Sequence, residues 1–206
     1  MSNENKQKPS FQDNSLATKT EWSPMVPGGI QSRTRNLIYI SDHRLEFVAS
    51  GSSIWSAIGF LSVGLIILIT AIIGLDGTPD SKGGIILSAI CGLPLIVLGA
   101  WTFFYTGQPI VFDTSKELFW FGVYPPKEVD HVTSCFLADV HAIQLIEEWV
   151  KGSKSVPSYY SYELNLVLNS GKRIHIIDHG KLTAIRKDAN HLAKFLNIPL
   201  WDNTQG

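Results

Sequence analysis

Cysteine is nearly missing from this chain: two residues in 206, Cys91 and Cys135. Two isolated cysteines exclude a disulfide framework and agree with a reducing compartment for the part outside a membrane. A charge excess is missing too. Seventeen Lys and Arg stand against eighteen Asp and Glu, a formal net charge of -1. A chain built to grip nucleic acid usually carries a basic face, so no nucleic-acid partner is expected. Only 17% of residues are charged, and two long stretches hold no charge at all. The positive mean hydropathy of +0.11 comes from those stretches.

They are Ile54 to Leu75 and Ile85 to Tyr105. Each is long enough to cross a bilayer as a helix, which takes about 20 apolar residues. The polar link Asp76 to Gly84 is too short for a domain and predicts a transmembrane helical hairpin over 54–105. The first apolar run starts too far from the N-terminus for a cleavable signal peptide. Neither run holds an ionisable residue, which argues against a proton or ion pathway. Arg33, Arg35 and Arg44 precede the first run, Lys116 and Lys127 follow the second, and the link offers Lys82 beside Asp76 and Asp80. That bias predicts an integral membrane protein with both termini in the cytoplasm. Trp55, Trp101, Phe103, Phe104 and Tyr105 cluster near the same interface, where amphipathic rings anchor. Ala57, Gly64 and Ala71 recur every seven residues, as do Gly92 and Gly99. Such a stripe lets helix backbones approach closely, either within the hairpin or against a partner's membrane helix. Pro94 is expected to bend the second span.

The flanks differ in kind. Residues 1–35 are polar, carry Pro9, Pro24, Pro27, Gly28 and Gly29, and show no period; a disordered tail is expected. In the juxtamembrane segment 36–53, LIYI (Leu37 to Ile40) and RLEFVA (Arg44 to Ala49) read as short strands that add an edge to a sheet. From Pro109 onward strands dominate: PIVFD, a DTSK turn, ELFWFG, then a proline-broken loop and ADVHAIQLIEEWV. After a flexible connector, Tyr160, Tyr162, Leu164, Leu166 and Leu168 alternate with Ser161, Glu163 and Asn165, the pattern of a strand with one face toward water. Asn169-Ser170-Gly171 reverses the chain into KRIHIID. The period then changes to that of a helix: Leu182, Ile185, Ala189, Leu192, Ala193 and Leu196 share one face, and Asn197 and Pro199 end it. The fold class predicted for 109–202 is α+β, a curved antiparallel sheet or barrel closed by one C-terminal capping helix.

With the two spans, the segments IVFD (Ile110 to Asp113), DVHAIQLI (Asp139 to Ile146), YELNLVLNSGKRI (Tyr162 to Ile174) and DANHLAKFLNIPL (Asp188 to Leu200) carry a resemblance. The chain resembles bacterial two-span membrane proteins with a pleckstrin-homology-like (PH-like) cytoplasmic domain. More distantly, it is similar to the photosystem I assembly factor of thylakoids. That factor tends to have an acidic-basic pair after its first strand, whereas Thr114 follows Asp113 here. The resemblance implies a bacterial inner-membrane location and a non-enzymatic scaffold that assembles membrane complexes. The bilayer and a membrane-protein partner are the expected contacts. A lipid or small-ligand sensor, with a cavity in the PH-like domain, is the alternative.

No catalytic, cofactor or metal residue is expected. Phosphate recognition needs a cationic cluster, but the first strand-strand loop offers Lys116 alone, with Lys172, Arg173 and Lys181 near other turns. His131, Cys135 and His141 match no tight zinc spacing. Glu147 and Glu148 face opposite sides of a strand, and Ser134, Asp139 and His141 lack a strained nucleophile turn. The expected interaction residues are Trp120, Tyr159 and the small-residue stripes Ala57, Gly64, Ala71, Gly92 and Gly99. Trp120 enters because Phe119 and Phe121 would fill a core and turn it outward; Trp149 and Tyr160 raise the same question.

Overall fold

The computed structural model describes residues 15–32, 35–73 and 82–205. The chain divides into two units, 48–109 and the remainder.

The first is a pair of helices, α2 (Gly51–Ile73) and α3 (Lys82–Gly107); α1 lies in the N-terminal segment described below. Both are long and apolar enough to cross a membrane. Most of their apolar side chains point outward, among them Leu65, Ile66, Ile86, Ile90 and Val97. The glycines hold the pair together. A Cβ on Gly64 would lie 2.7 Å from the Gly92 carbonyl oxygen, and one on Gly99 would lie 2.7 Å from the Leu61 nitrogen. Ala57 is fully buried at the same seam. Pro94 sits inside α3. Of the expected link Asp76 to Gly84, residues 82–84 belong to α3 and 76–81 lie outside the described residues.

The second unit contains two separate sheets. The expected juxtamembrane strands exist as β1 (Arg35–Ser41) and β2 (Arg44–Ala49). With β3 (Ile110–Asp113), β4 (Leu118–Phe121) and β5 (Ser134–Phe136) they form a sheet in chain order. Asp113 shapes the β3–β4 turn: its Oδ1 accepts the Ser115 hydroxyl and the N–H groups of Ser115 and Lys116. The second sheet has the order β8-β7-β6-β9. A short 3₁₀ turn at Leu137–Asp139 leads into β6 (Val140–Val150), followed by β7 (Tyr159–Leu168) and β8 (Arg173–His179). β9 (Leu200–Asn203) runs parallel to β6. Helix α4 (Leu182–Leu196) ends where Asn197 takes a left-handed conformation, which releases the chain to form β9.

Among the described residues the architecture is α+β as expected at the level of class, with one antiparallel sheet, one mixed sheet and a C-terminal helix; the expected curved antiparallel sheet or barrel differs in that one sheet is mixed and no barrel closes. The second sheet is mixed because of β9, which pairs parallel to β6 along one edge. Its four residues are too few to show a period, so the sequence did not reveal it. One core unites the layers. Leu45, Phe47, Phe112 and Phe119 of the first sheet, Leu145, Leu164 and Leu166 of the second, and Ile185, Ala189 and Leu192 of α4 pack together. Phe112 and Phe119 lie 4.9 Å apart between ring centroids.

Candidate functional site

The remaining face of the second sheet is where the structure departs furthest from the sequence pattern. Opposite the core, beside Ala142, Ile146 and Val167, this face carries a row of polar side chains: Gln144 and Glu148 on β6, Ser161, Glu163 and Asn165 on β7, and Arg173 on β8. Periodicity assigns them to water. Instead Glu163 is 1% exposed and Asn165 fully buried. The cover is the N-terminal segment 15–32, so the expected disordered tail over 1–35 is corrected for these residues; 1–14 lie outside the described residues.

The segment opens with α1 (Ser15–Lys19). Ala17 and Trp22 pack on Ala142, Ile146, Val167 and Trp201, and the Trp22 and Trp201 rings stand 6.2 Å apart. Trp22 Nε1 donates to the Ala17 carbonyl, so the polar tip of this anchor is satisfied. Beyond it the chain bends at Ser23, Met25 and Val26 and turns at Pro27 and Gly28, and the sheet reads its backbone. Arg173 donates to the Ser23 carbonyl at 2.8 Å, and Gln144 Nε2 to that of Glu21 at 3.0 Å. The Glu163 carboxylate accepts the N–H of Met25 on both oxygens, at 2.8 and 2.9 Å, and that of Val26 at 2.9 Å. Glu148 accepts the Gly28 N–H, while Ser161 both accepts the Ile30 N–H and donates to the Ile30 carbonyl. Tyr159 donates its hydroxyl to the Gly28 carbonyl. Gly29, at φ +37°, fits because a Cβ there would overlap the Ser161 side chain.

Almost every one of these bonds joins a sheet side chain to main chain. Such contacts specify a particular bent backbone path with room at Gly29, and Trp22 is the large side chain that is read. Hydrogen bonds to a charged acceptor are worth roughly 1.5–3 kcal/mol each. Arg173 is half withdrawn from water. Burial pulls its pKa down, while the neighbouring Glu163 and Glu21 carboxylates oppose the change.

The sequence-expected residues fare unequally. Tyr159 belongs to this face. Trp120 does not: it is 1% exposed, donates Nε1–H to the Gly122 carbonyl, and lies under the Arg44 guanidinium at 5.3 Å. It packs with Val111, Leu118 and Val129 because both faces of β4 are covered. Trp149 and Tyr160 do point outward, 53% and 49% exposed with centroids 4.6 Å apart. Gly64, Gly92 and Gly99, with Ala57, serve the α2–α3 seam, which accounts for them without a partner helix; Ala71 is half-buried on α2. Ser134 is tied to Asp130 through its hydroxyl and its N–H, so it has no part in a triad with His141. Cys135 is buried; desolvation first, then the charges of Asp139 and Asp130, push its thiol up to about 12, where it holds its proton at neutral pH.

His131, Cys135 and His141 do not converge. Among the described residues, the donors that gather within 4.8 Å of one another are those of Glu163, His175 and Asp178. A β-bulge makes this possible. Glu163 faces Asp178 and Asn165 faces His175, with Ile176 left over, so His175 and Asp178 share a face at a spacing of three.

Comparison with protein-family models, curated proteins and solved structures finds no significant match for this chain.

Proposed function

We propose that this chain is a non-enzymatic, membrane-anchored interaction module whose outer sheet face binds the main chain of a segment of a membrane-protein partner. Segment 15–32 is the occupant of that face within the chain. The observation that carries the reading is the row of buried or half-buried side chains, Glu163, Glu148, Ser161, Arg173 and Gln144, bonded to backbone atoms of residues 21–30. A face that recognises main chain in this way accepts a second segment of the same form. The resemblance to two-span bacterial proteins with a PH-like domain, and to a thylakoid assembly factor, supports an assembly role. In this reading α2 and α3 span the inner membrane and both termini are cytoplasmic. Tethering then raises the effective concentration of the face toward membrane partners.

The sensor alternative has less support. The space between the sheets is filled by Phe47, Phe112, Phe119 and their neighbours. The clefts of about 560 and 440 Å³ are open and lined partly by charged groups, Asp130, Asp139 and Lys172 in the larger.

The test uses the full chain in mild detergent. Trp22→Ala weakens the resident segment, and a fluorescent peptide with the sequence of residues 15–32 is added. The reading predicts saturable binding to W22A that is lost when Glu163→Ala is combined with it. Binding that survives the double change, or no binding to either variant, contradicts it.

A further inference from the structure

The geometry points to a divalent transition-metal site made by Glu163, His175 and Asp178. All three donors lie within 4.8 Å of one another, close enough to share one ion. Two further observations bear on the cluster. The Asp178 side chain is 7% exposed, and the His175 Nε2 stands 3.3 Å from its Oδ1. Yet Nε2 is buried and makes no hydrogen bond. A metal ion placed between them would take a lone pair from each.

Glu163 can join the pair. Its Oε1 accepts Asn165 Nδ2–H at 2.6 Å and half of a bond from Met25 N–H, which is shared with Oε2. If the Met25 donor settles on Oε2, one lone pair of Oε1 is released without leaving a donor unsatisfied. The face also carries more negative than positive charge near this point, since Arg173 is the cation beside Glu163 and is committed to Ser23 and Gln144. One imidazole with two carboxylates suits Zn²⁺ or its neighbours in the first transition row, and suits Mg²⁺ or Ca²⁺ poorly. The N–H groups of Met25 and Val26 on Glu163 would orient that ligand, as outer partners of metal-bound carboxylates do.

The experiment is calorimetric titration of the full chain, stripped with a chelator in mild detergent, with Zn²⁺ alone. The expected result is one equivalent bound with micromolar or tighter affinity. D178N and H175Q should each weaken binding by about tenfold or more, while H141Q leaves it unchanged. Thermal unfolding supplies a second readout. D178N removes a buried charge and keeps the side-chain shape, so it should fold without metal, and Zn²⁺ should raise the melting temperature of the wild type but not of D178N. Absence of binding at about a hundredfold above micromolar Zn²⁺, or equal binding by wild type, D178N and H175Q, overturns the assignment.

Discussion

The two faces of β7 are both buried, and by opposite chemistry. On one side Leu164, Leu166 and Leu168 enter a core closed by Phe47, Phe112, Phe119 and α4. On the other, Ser161, Glu163 and Asn165 are covered by segment 15–32 and bonded to its backbone or to one another. The first face is nondirectional: its free energy follows apolar area removed from water. The second is directional, and each polar group there must find its partner or cost about 1–3 kcal/mol. The difference separates roles. An apolar core specifies that the layers stay together. A polar face covered by main chain specifies a conformation of whatever lies on it, and its cover can leave without dismantling the layers.

The largest effect sharpens that separation. Leu164→Ala should cost about 2–5 kcal/mol in unfolding of the sheet unit, because the cavity cannot refill. Denaturant unfolding followed by tryptophan fluorescence measures it. Glu163→Ala should cost less, about 1–3 kcal/mol, and its effect should be local. It strands the N–H groups of Met25 and Val26 and frees segment 15–32, while β6 and β8 keep their amide protection in hydrogen exchange. If Glu163→Ala instead unfolds the whole unit, the two faces are not separable. Gly29→Ala is smaller again. Its Cβ meets Ser161, so the segment should lift near residues 28–30 while Trp22 stays seated. Faster exchange at Ile30 with an unchanged Trp22 environment is the expected pattern.

The smallest effect lies on the first sheet, as a control away from both faces. Burial raises the Asp113 pKa, but bonds from the Ser115 hydroxyl and from the N–H groups of Lys116 and Ser115, with the Arg44 charge, outweigh it and hold the carboxyl below its ordinary value. A depressed folded-state pKa gives stability that is fully present above the unfolded value and is lost as pH falls through the folded one. The advantage of wild type over Asp113→Asn should therefore be constant above about pH 5 and shrink below about pH 4. Melting temperatures across that range check the sign.

Much of the frame is legible in the chain. Two uncharged runs announce the helices, and the glycines at 64, 92 and 99 sit where backbones meet. The reversal at Asn169–Gly171 and the stop at Asn197 are read from local chemistry. The outer face is not, because alternation records polarity and not exposure. Ser161, Glu163 and Asn165 look the same whether they meet water or a peptide backbone. The one available signal was Trp22 followed by Pro24, Pro27 and Gly28-Gly29: an isolated large anchor in a tail that otherwise has nothing to bury. Trp120 misled for a related reason. Strand period gives sidedness, but only the neighbouring strands and the Val129 loop decide whether a side is open. The Glu163–His175–Asp178 cluster depends on a bulge at Ile176, which no periodic pattern encodes.

Amide hydrogen exchange on the intact chain in mild detergent bears most directly on the claim that the outer face holds main chain. Met25, Val26, Gly28 and Ile30 should exchange far more slowly than amides of an unstructured peptide, and Glu163→Ala should release Met25 and Val26 first. Exchange of all four at unstructured rates in the unaltered protein would contradict the account.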